Sequence, residues 1–534
     1  MAFGFSAREQ QDHRRRCSSQ PIFWTFSLCS DILFSPPLIK FLSFYRKGVM
    51  NNRGWIVTCA GMGINLALGV LYSWSVIKKA IPSEWGWTDA DKALPYSIAC
   101  IIFALVMVPA GRLQDRIGPR WVATTGGLLT GLGCIIASYA NSVLWFVVGF
   151  GVFAGAGIGL GYASATPPAV KWFPARKTGL IAGLVVAGFG LASVYISPVA
   201  NHLTGFTLTG QPVPEVVELS RAKELADAAY EDAQRRLNTA QSEIGGFSIY
   251  NIELKVDEKD AVRKDAAAQL LALKERNIQR TLRVFGIGFL LVVTLLAQFL
   301  VVPPQGYQPP NATSTSNHAA SSVMTNYGPA QMLRTPLFYL LWTMYAFAAG
   351  AGLMIIGNIT TIAKLGKIEA GFILVALLAV GNAAGRIIAG MLSDRIGRIW
   401  TMFGIFLFQA VLMLVLRGGL SDMTSFVIVS MLLGFNYGAC LSVFPSAVKD
   451  NFGLKDFGIN YGLIFTAWGV GGFLFPLIAG KMFEAAKWQT GTGSYGQAYL
   501  IAAIVLVAAA LLSFPARWTE RKHKAMLAVK TLIK

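Results

Sequence analysis

Apolar residues along this chain gather into long runs, separated by short polar stretches, with neither strand-like alternation nor a narrow helical stripe. A helix that crosses roughly 30 Å of hydrocarbon at 1.5 Å per residue needs about 20 of them. Runs of that length lie near 54–77, 93–111, 121–140, 144–166, 178–203, 284–303, 336–361, 370–390, 399–416, 423–446, 457–480 and 495–515. The pattern predicts an all-α membrane protein with about twelve transmembrane helices. One block breaks it. Residues 211–283 hold 12 Lys or Arg against 13 Asp or Glu, a net charge of −1. Within it Ala222, Ala226, Ala229, Ala233, Leu237, Ala240 and Ile244 recur at helical spacing, as do Val262, Ala266, Leu270, Leu273 and Ile278. Gly245-Gly246 divides the two stripes, so an exposed helical hairpin is expected, acting as a cap or as a surface for a protein partner.

Composition agrees: 54% of residues are hydrophobic and 14% charged, with a mean hydropathy of +0.53. The formal net charge of +19 does not mark a nucleic-acid binder, because the basic residues flank apolar runs instead of gathering on one soluble face. Arg112, Arg116, Arg120, Lys171, Arg176, Lys177, Arg395, Arg398, Lys449 and Lys455 follow the second, fourth, eighth and tenth runs. By the positive-inside rule those loops, and the basic tail 516–534, are cytoplasmic. The hairpin is then external, both chain ends are internal, and the expected location is a plasma membrane, as in a bacterial inner membrane. Residues 1–49 resemble neither a cleavable signal nor a clean span, and Met50 is an alternative start. Cys59, Cys100, Cys134 and Cys440 lie in apolar runs without metal-like or redox-like spacing, and Cys17 and Cys29 lie in the N-terminal stretch. No cofactor or metal is implied.

A repeat organises the chain. Gly111–Trp121 reads GRLQDRIGPRW and Gly390–Trp400 reads GMLSDRIGRIW, identical at seven of eleven positions and 279 residues apart. Ala169-Val170-Lys171 and Ala447-Val448-Lys449 recur at nearly the same offset. Two in-register matches predict duplicated six-helix halves, 50–303 and 336–515, joined by a Pro-, Ser- and Thr-rich linker at 304–335. In the repeated loop Gly111, Gly118, Gly390 and Gly397 suit tight turns, Asp115 and Asp394 can cap a helix or pair with a base, and Arg116 and Arg395 face the cytosol. Its expected role is gating.

Ionisable groups inside the apolar runs are scarce. Arg386, in the eighth, is the one arginine, and none of the runs holds Asp or Glu. A guanidinium costs at least about 2.5–3.5 kcal/mol at the membrane centre, so it should face a cavity and meet an anion. A carboxylate suits its planar fork. Asn382, one turn earlier, shares its face. The plainer account is an arginine that snorkels to the cytosolic interface or bonds backbone carbonyls. Tyr72, Trp74, Tyr162, Tyr437 and Trp468 interrupt other runs, and taken singly such residues are more often packing or interfacial belt than ligand.

LYSWSV, GRLQDRIGPR, GAGIGLGYASATPPAVKWFPARKTGLIAGLVVAGFG, MLRTPLFYLLWT, GNAAGRIIAGMLSDRIGR and FPSAVKDNFG with a following NYG resemble the oxalate/formate antiporter and monocarboxylate transporter branch of the major facilitators. The resemblance runs from Gly54 to about residue 515. It implies that Arg386 binds a substrate carboxylate, that Asn382 stands beside it, and that Tyr72, Tyr162 and Tyr437 line the pocket. Oxalate exchangers of the branch carry a lysine where this chain has Trp468, and often a tyrosine where it has Phe189. Loss of that second cation points to a monocarboxylate such as lactate, pyruvate or formate, with a proton or a counter-anion as coupled partner. An oxalate/formate-type exchanger and a transporter-like organic-acid sensor are the alternatives. An enzyme is not indicated: there is no nucleophile with a base, no metal cluster and no phosphate loop.

Overall fold

The computed structural model describes residues 53–532 apart from 175–177, 208–210, 244–246, 305–306, 308–325, 369–370, 421 and 454–455. The N-terminal stretch with Met50, Cys17 and Cys29, the Gly245-Gly246 divider, most of the linker, and Arg176, Lys177, Lys455 and Lys534 therefore lie outside the described residues. By backbone proximity the chain divides into Met1–Ile56 and Val57–Lys534. Of the first, only the opening turn of a helix is described. The account below concerns the second.

Twelve helices among the described residues are long and apolar enough to cross a membrane. In chain order they and the polar helix between them are α1 (Arg53–Ala80), α2 (Asp89–Ile117), α3 (Pro119–Ser138), α4 (Val143–Val170) and α5 (Thr178–Leu203). Then come polar α6 (Pro214–Glu243) and α7 (Phe247–Ala297), followed by α8 (Pro336–Leu365) and α9 (Gly371–Ile396). The chain closes with α10 (Arg398–Gly418), α11 (Met423–Phe452), α12 (Phe457–Thr490) and α13 (Gly496–Leu532). Local chemistry sets several starts. Thr88 and Asp91 close a capping box at α2, Thr335 caps α8, and Asp422 caps α11.

The packing repeats. In each half the first helix packs on the fifth, the second on the fourth and the third on the sixth: α1–α5, α2–α4 and α3–α7, then α8–α12, α9–α11 and α10–α13. The halves meet along α2 with α12, α5 with α9, and α1 with α8. Where the repeated loops turn, Gly118 and Gly397 have φ of +92° and +94°, a backbone region that side chains with a Cβ avoid. Asp115 and Asp394 cap nothing; they pair, with Lys171 at 3.6 Å and Arg398 at 2.6 Å. Arg398 also reaches Asp450 at 2.8 Å. Gly111 has open space where a Cβ would point, whereas Gly390 faces Ser442. Arg116 and Arg395 are exposed.

Two features differ from the hydropathy reading. First, α7 is one helix of 51 residues, running from the polar block through the membrane span without a break at residue 284. Hydropathy changes there because the solvent changes, and the backbone has no reason to follow. Second, several helices continue past their apolar runs, so Lys78 at the end of α1 is buried and Arg386 is not the only cation inside the bundle.

Candidate functional site

Helices α9 and α11 approach closely because each carries a pair of glycines four residues apart: Gly381 and Gly385, Gly434 and Gly438. A Cβ on Gly438 would stand 2.7 Å from Asn382 Oδ1, and one on Gly385 2.7 Å from the Phe435 carbonyl carbon. That contact sets Tyr437 of α11 beside the Asn382 and Arg386 turn of α9. In the other half the tight 3₁₀ turn Gly69–Ser73 within α1 buries Tyr72. A wide π-type segment, Val147–Ala154, precedes the α4 turn that carries Tyr162. Irregular turns of this kind inside long helices are common at functional sites.

Arg386 is 6% exposed. Its Nε donates to Asn382 Oδ1 at 3.0 Å, and its Nη1 donates across the seam to the Val186 carbonyl of α5 at 2.5 Å. Nη2 has no partner, and neither does Nδ2 of Asn382. Two buried donors on one helical turn thus lack a well-formed hydrogen bond, one of them charged, with the Tyr162 hydroxyl within the guanidinium's reach. Such groups are rare, because leaving one unpaired costs about 1–3 kcal/mol and more for a charge. The guanidinium stays inside, which is against snorkelling, while its bond to the Val186 carbonyl is the backbone contact that the plainer account also expects.

An aromatic cluster fills the rest of the seam. Trp468 Nε1 donates to Tyr437 Oη at 2.7 Å, and Tyr437 Oη lies 2.7 Å from Tyr72 Oη, so a hydrogen-bonded chain runs from α12 through α11 to α1. Phe189 of α5 meets Tyr72 and Tyr162 edge-on, with ring centroids 4.9 Å and 5.3 Å away. Phe103 of α2 bridges Tyr162 at 5.4 Å and Trp468 at 5.1 Å, while Phe465 stacks on Trp468 at 4.9 Å. Gly190, next to Phe189, leaves Cβ-sized room 3.6 Å from Arg386 Cζ.

The six candidate residues thus fall into two linked groups: Arg386 with Asn382, and Tyr72, Tyr437 and Trp468 in one chain, with Tyr162 joined through Phe189. Trp74 stands apart, packed on Phe150 and Tyr96. The repeated loops lie outside this cluster, and their carboxylates pair locally. Sequence reasoning missed Phe103 and Phe465. Phe465 had a signal, since it precedes Trp468 by one helical turn; Phe103 had none.

Lys78 forms a second polar centre. It is 3% exposed, 2.6 Å from Asp89 of α2, and donates to Asn358 Oδ1 of α8 at 2.7 Å.

A family model described as Major Facilitator Superfamily matches residues 55–209 and 337–532. An oxalate:formate antiporter of Oxalobacter formigenes is 22% identical over 485 residues, covering 90% of this chain and 95% of its own. An apicoplast pyruvate carrier of Toxoplasma gondii is 26% identical over 395 residues, covering 68% of this chain and 64% of its own. Among solved structures, a bacterial homologue of the human lysosomal transporter Spinster, inward-facing and unoccupied, superposes with a TM-score of 0.59 at 17% identity. It covers 88% of this chain and 98% of its own, a likeness of fold.

Proposed function

The chain belongs to the major facilitator superfamily, and we propose that it is a secondary transporter of small organic monocarboxylates, working by alternating access of its two halves around Arg386. The observation that carries the reading is the pair of donors without a well-formed hydrogen bond, Arg386 Nη2 and Asn382 Nδ2, buried on one helical turn at the seam. A carboxylate presents two acceptor oxygens to two such donors. Both donors belong to the second half, and alternating access exposes one such site between the halves to either side in turn. Tyr72 and Tyr162 add hydroxyls, and Phe189, Phe103 and Phe465 offer an apolar wall for a short carbon tail. The relatives named for oxalate, formate and pyruvate handle chemistry of the same kind.

A monoanion fits better than a dianion. Trp468 spends its N–H on Tyr437, so that wall supplies no second positive group, and a second carboxylate there would be buried without a counter-charge. Coupling runs either to a proton taken up with the substrate or to a counter-anion. The repeated loops are read as gating elements on the cytoplasmic face. Both chain ends lie on that face, and the α6–α7 arm projects outside. A cysteine at exposed Asn238 should then react with an impermeant thiol reagent on intact cells, and one at Lys522 should not; the reverse labelling inverts the orientation.

The deciding experiment is a thermal-shift panel on purified protein, since a ligand that binds the native state raises its unfolding temperature. Lactate, pyruvate and formate should stabilise it, and oxalate and malonate should not. Stabilisation by oxalate equal to that by pyruvate would favour the oxalate/formate-type exchanger. Binding without uptake into vesicles would favour an organic-acid sensor.

A further inference from the structure

We propose that Lys78, Asp89, Asn358 and Glu484 form a gate that holds the two halves together at the end of the bundle bearing the α6–α7 arm, and that α7 braces this gate. It rests on the transporter reading, because a gate matters only where halves part. The centre draws on both. Lys78 and Asp89 come from α1 and α2, 2.6 Å apart. From the opposite half, Asn358 Oδ1 accepts from Lys78 at 2.7 Å and from Tyr495 Oη at 3.1 Å, and Glu484 accepts from the Asp89 backbone N–H at 2.8 Å. Nearby, Thr360 Oγ1 of α8 donates to the Ser75 carbonyl of α1 at 2.7 Å.

The division of labour is informative. The ion pair lies within one half; the ties between halves are hydrogen bonds to an amide, a carbonyl and a backbone N–H. Parting the halves therefore breaks hydrogen bonds and moves the Glu484 carboxylate away from Lys78 and Lys92, but Lys78 and Asp89 leave together as a pair without net charge. Neither ion is stripped of its partner, which would be the expensive step. A gate built this way can be tight when closed and still open at modest cost.

The brace acts on the turn that joins the ion pair. Ser83–Trp85 lies between Lys78 and Asp89 in the chain, and α7 grips it twice. Lys274 Nζ donates to Glu84 Oε1 at 2.7 Å, and Trp85 Nε1 donates to Glu275 Oε1 at 2.7 Å. Partial burial works against the Glu84 carboxylate, but the Lys274 ammonium and a backbone N–H outweigh it and hold its pKa below the usual glutamate range. A pinned turn fixes the spacing of α1 and α2 and so the geometry of the pair they present. This gives the arm a task inside the transporter.

Spin labels at Glu218 and Gln489, both exposed and on opposite halves, in a background whose native cysteines are replaced by serine, report the gate by electron–electron distance without any substrate. Their outcome is therefore independent of which carboxylate is carried. The unaltered gate should give one short-distance population. Asn358→Ala and Glu484→Ala, which cut ties between halves and leave the ion pair whole, should each add a longer-distance population. Lys78→Met should do so more strongly, and Lys274→Ala more weakly. Distributions unchanged in both Asn358→Ala and Glu484→Ala overturn the gate. A change in those two with none in Lys274→Ala or Glu275→Ala overturns the brace.

Discussion

Arg386 and Lys78 are both cations buried in the bundle, 6% and 3% exposed, and each has an asparagine oxygen as acceptor. They differ in what neutralises them. Lys78 has the carboxylate of Asp89; Arg386 has no ion pair among the described residues and keeps one nitrogen unbonded. A buried charge is tolerated when its counter-charge is supplied. At Lys78 the chain supplies it permanently, and the result is an internal tie. At Arg386 the chain supplies two neutral oxygens and no counter-charge among the described residues, and on the proposed reading the substrate brings it.

The comparison breaks most visibly at Arg386. Arg386→Ala and Arg386→Lys should both abolish uptake of labelled pyruvate into proteoliposomes while unfolding near the parent temperature. Losing a charge-assisted pair costs about 1.5–3 kcal/mol, at least tenfold in affinity. Lysine keeps the charge but not the fork. Uptake persisting in both variants would leave Arg386 a packing residue.

Lys78 should behave in the opposite sense, through stability. Lys78→Met leaves Asp89 without its cation, a loss of about 3 kcal/mol, the low end for a broken buried pair because Asp89 keeps some contact with water. Lys78→Met combined with Asp89→Leu removes both charges and should recover most of that loss in a thermal unfolding cycle. Equal destabilisation of the single and double variants would show that the two residues do not act as a unit.

The smallest effect tests the edge of the Arg386 site. Trp468→Phe keeps a ring against Phe465 and Phe103 but removes the N–H given to Tyr437, about 0.5–1.5 kcal/mol for a neutral hydrogen bond. Competition of labelled pyruvate uptake should show a several-fold higher inhibition constant for monocarboxylates. Trp468→Lys should shift the ratio of inhibition constants toward dicarboxylates. An unmoved ratio would remove this position from selectivity.

The spans were legible because in lipid the side chains and the solvent speak the same language: a run of apolar residues is itself the structural unit. The duplicated GxxxDRxGxxW loops made the two halves legible as well. Arg386 and Asn382 could be read as neighbours because four residues are one turn of helix. Lys78 could not, since a hydropathy run ends at the first charge and α1 does not. The chain from Trp468 through Tyr437 to Tyr72 crosses three helices, and no local period records such a contact. The glycine pairs of α9 and α11 were visible in the sequence as a packing signal, but which helix would answer which was not.

Helix α7, at 51 residues, measures about 76 Å at 1.5 Å per residue. One end packs in the membrane bundle against α3 and the other carries the polar arm. Such a rod is a pointer fixed to one half. If the halves rock as proposed, a rotation too slight to resolve at the seam is magnified along the rod into a displacement at its tip, and a fluorophore or antibody fragment on the arm would report it from the water phase.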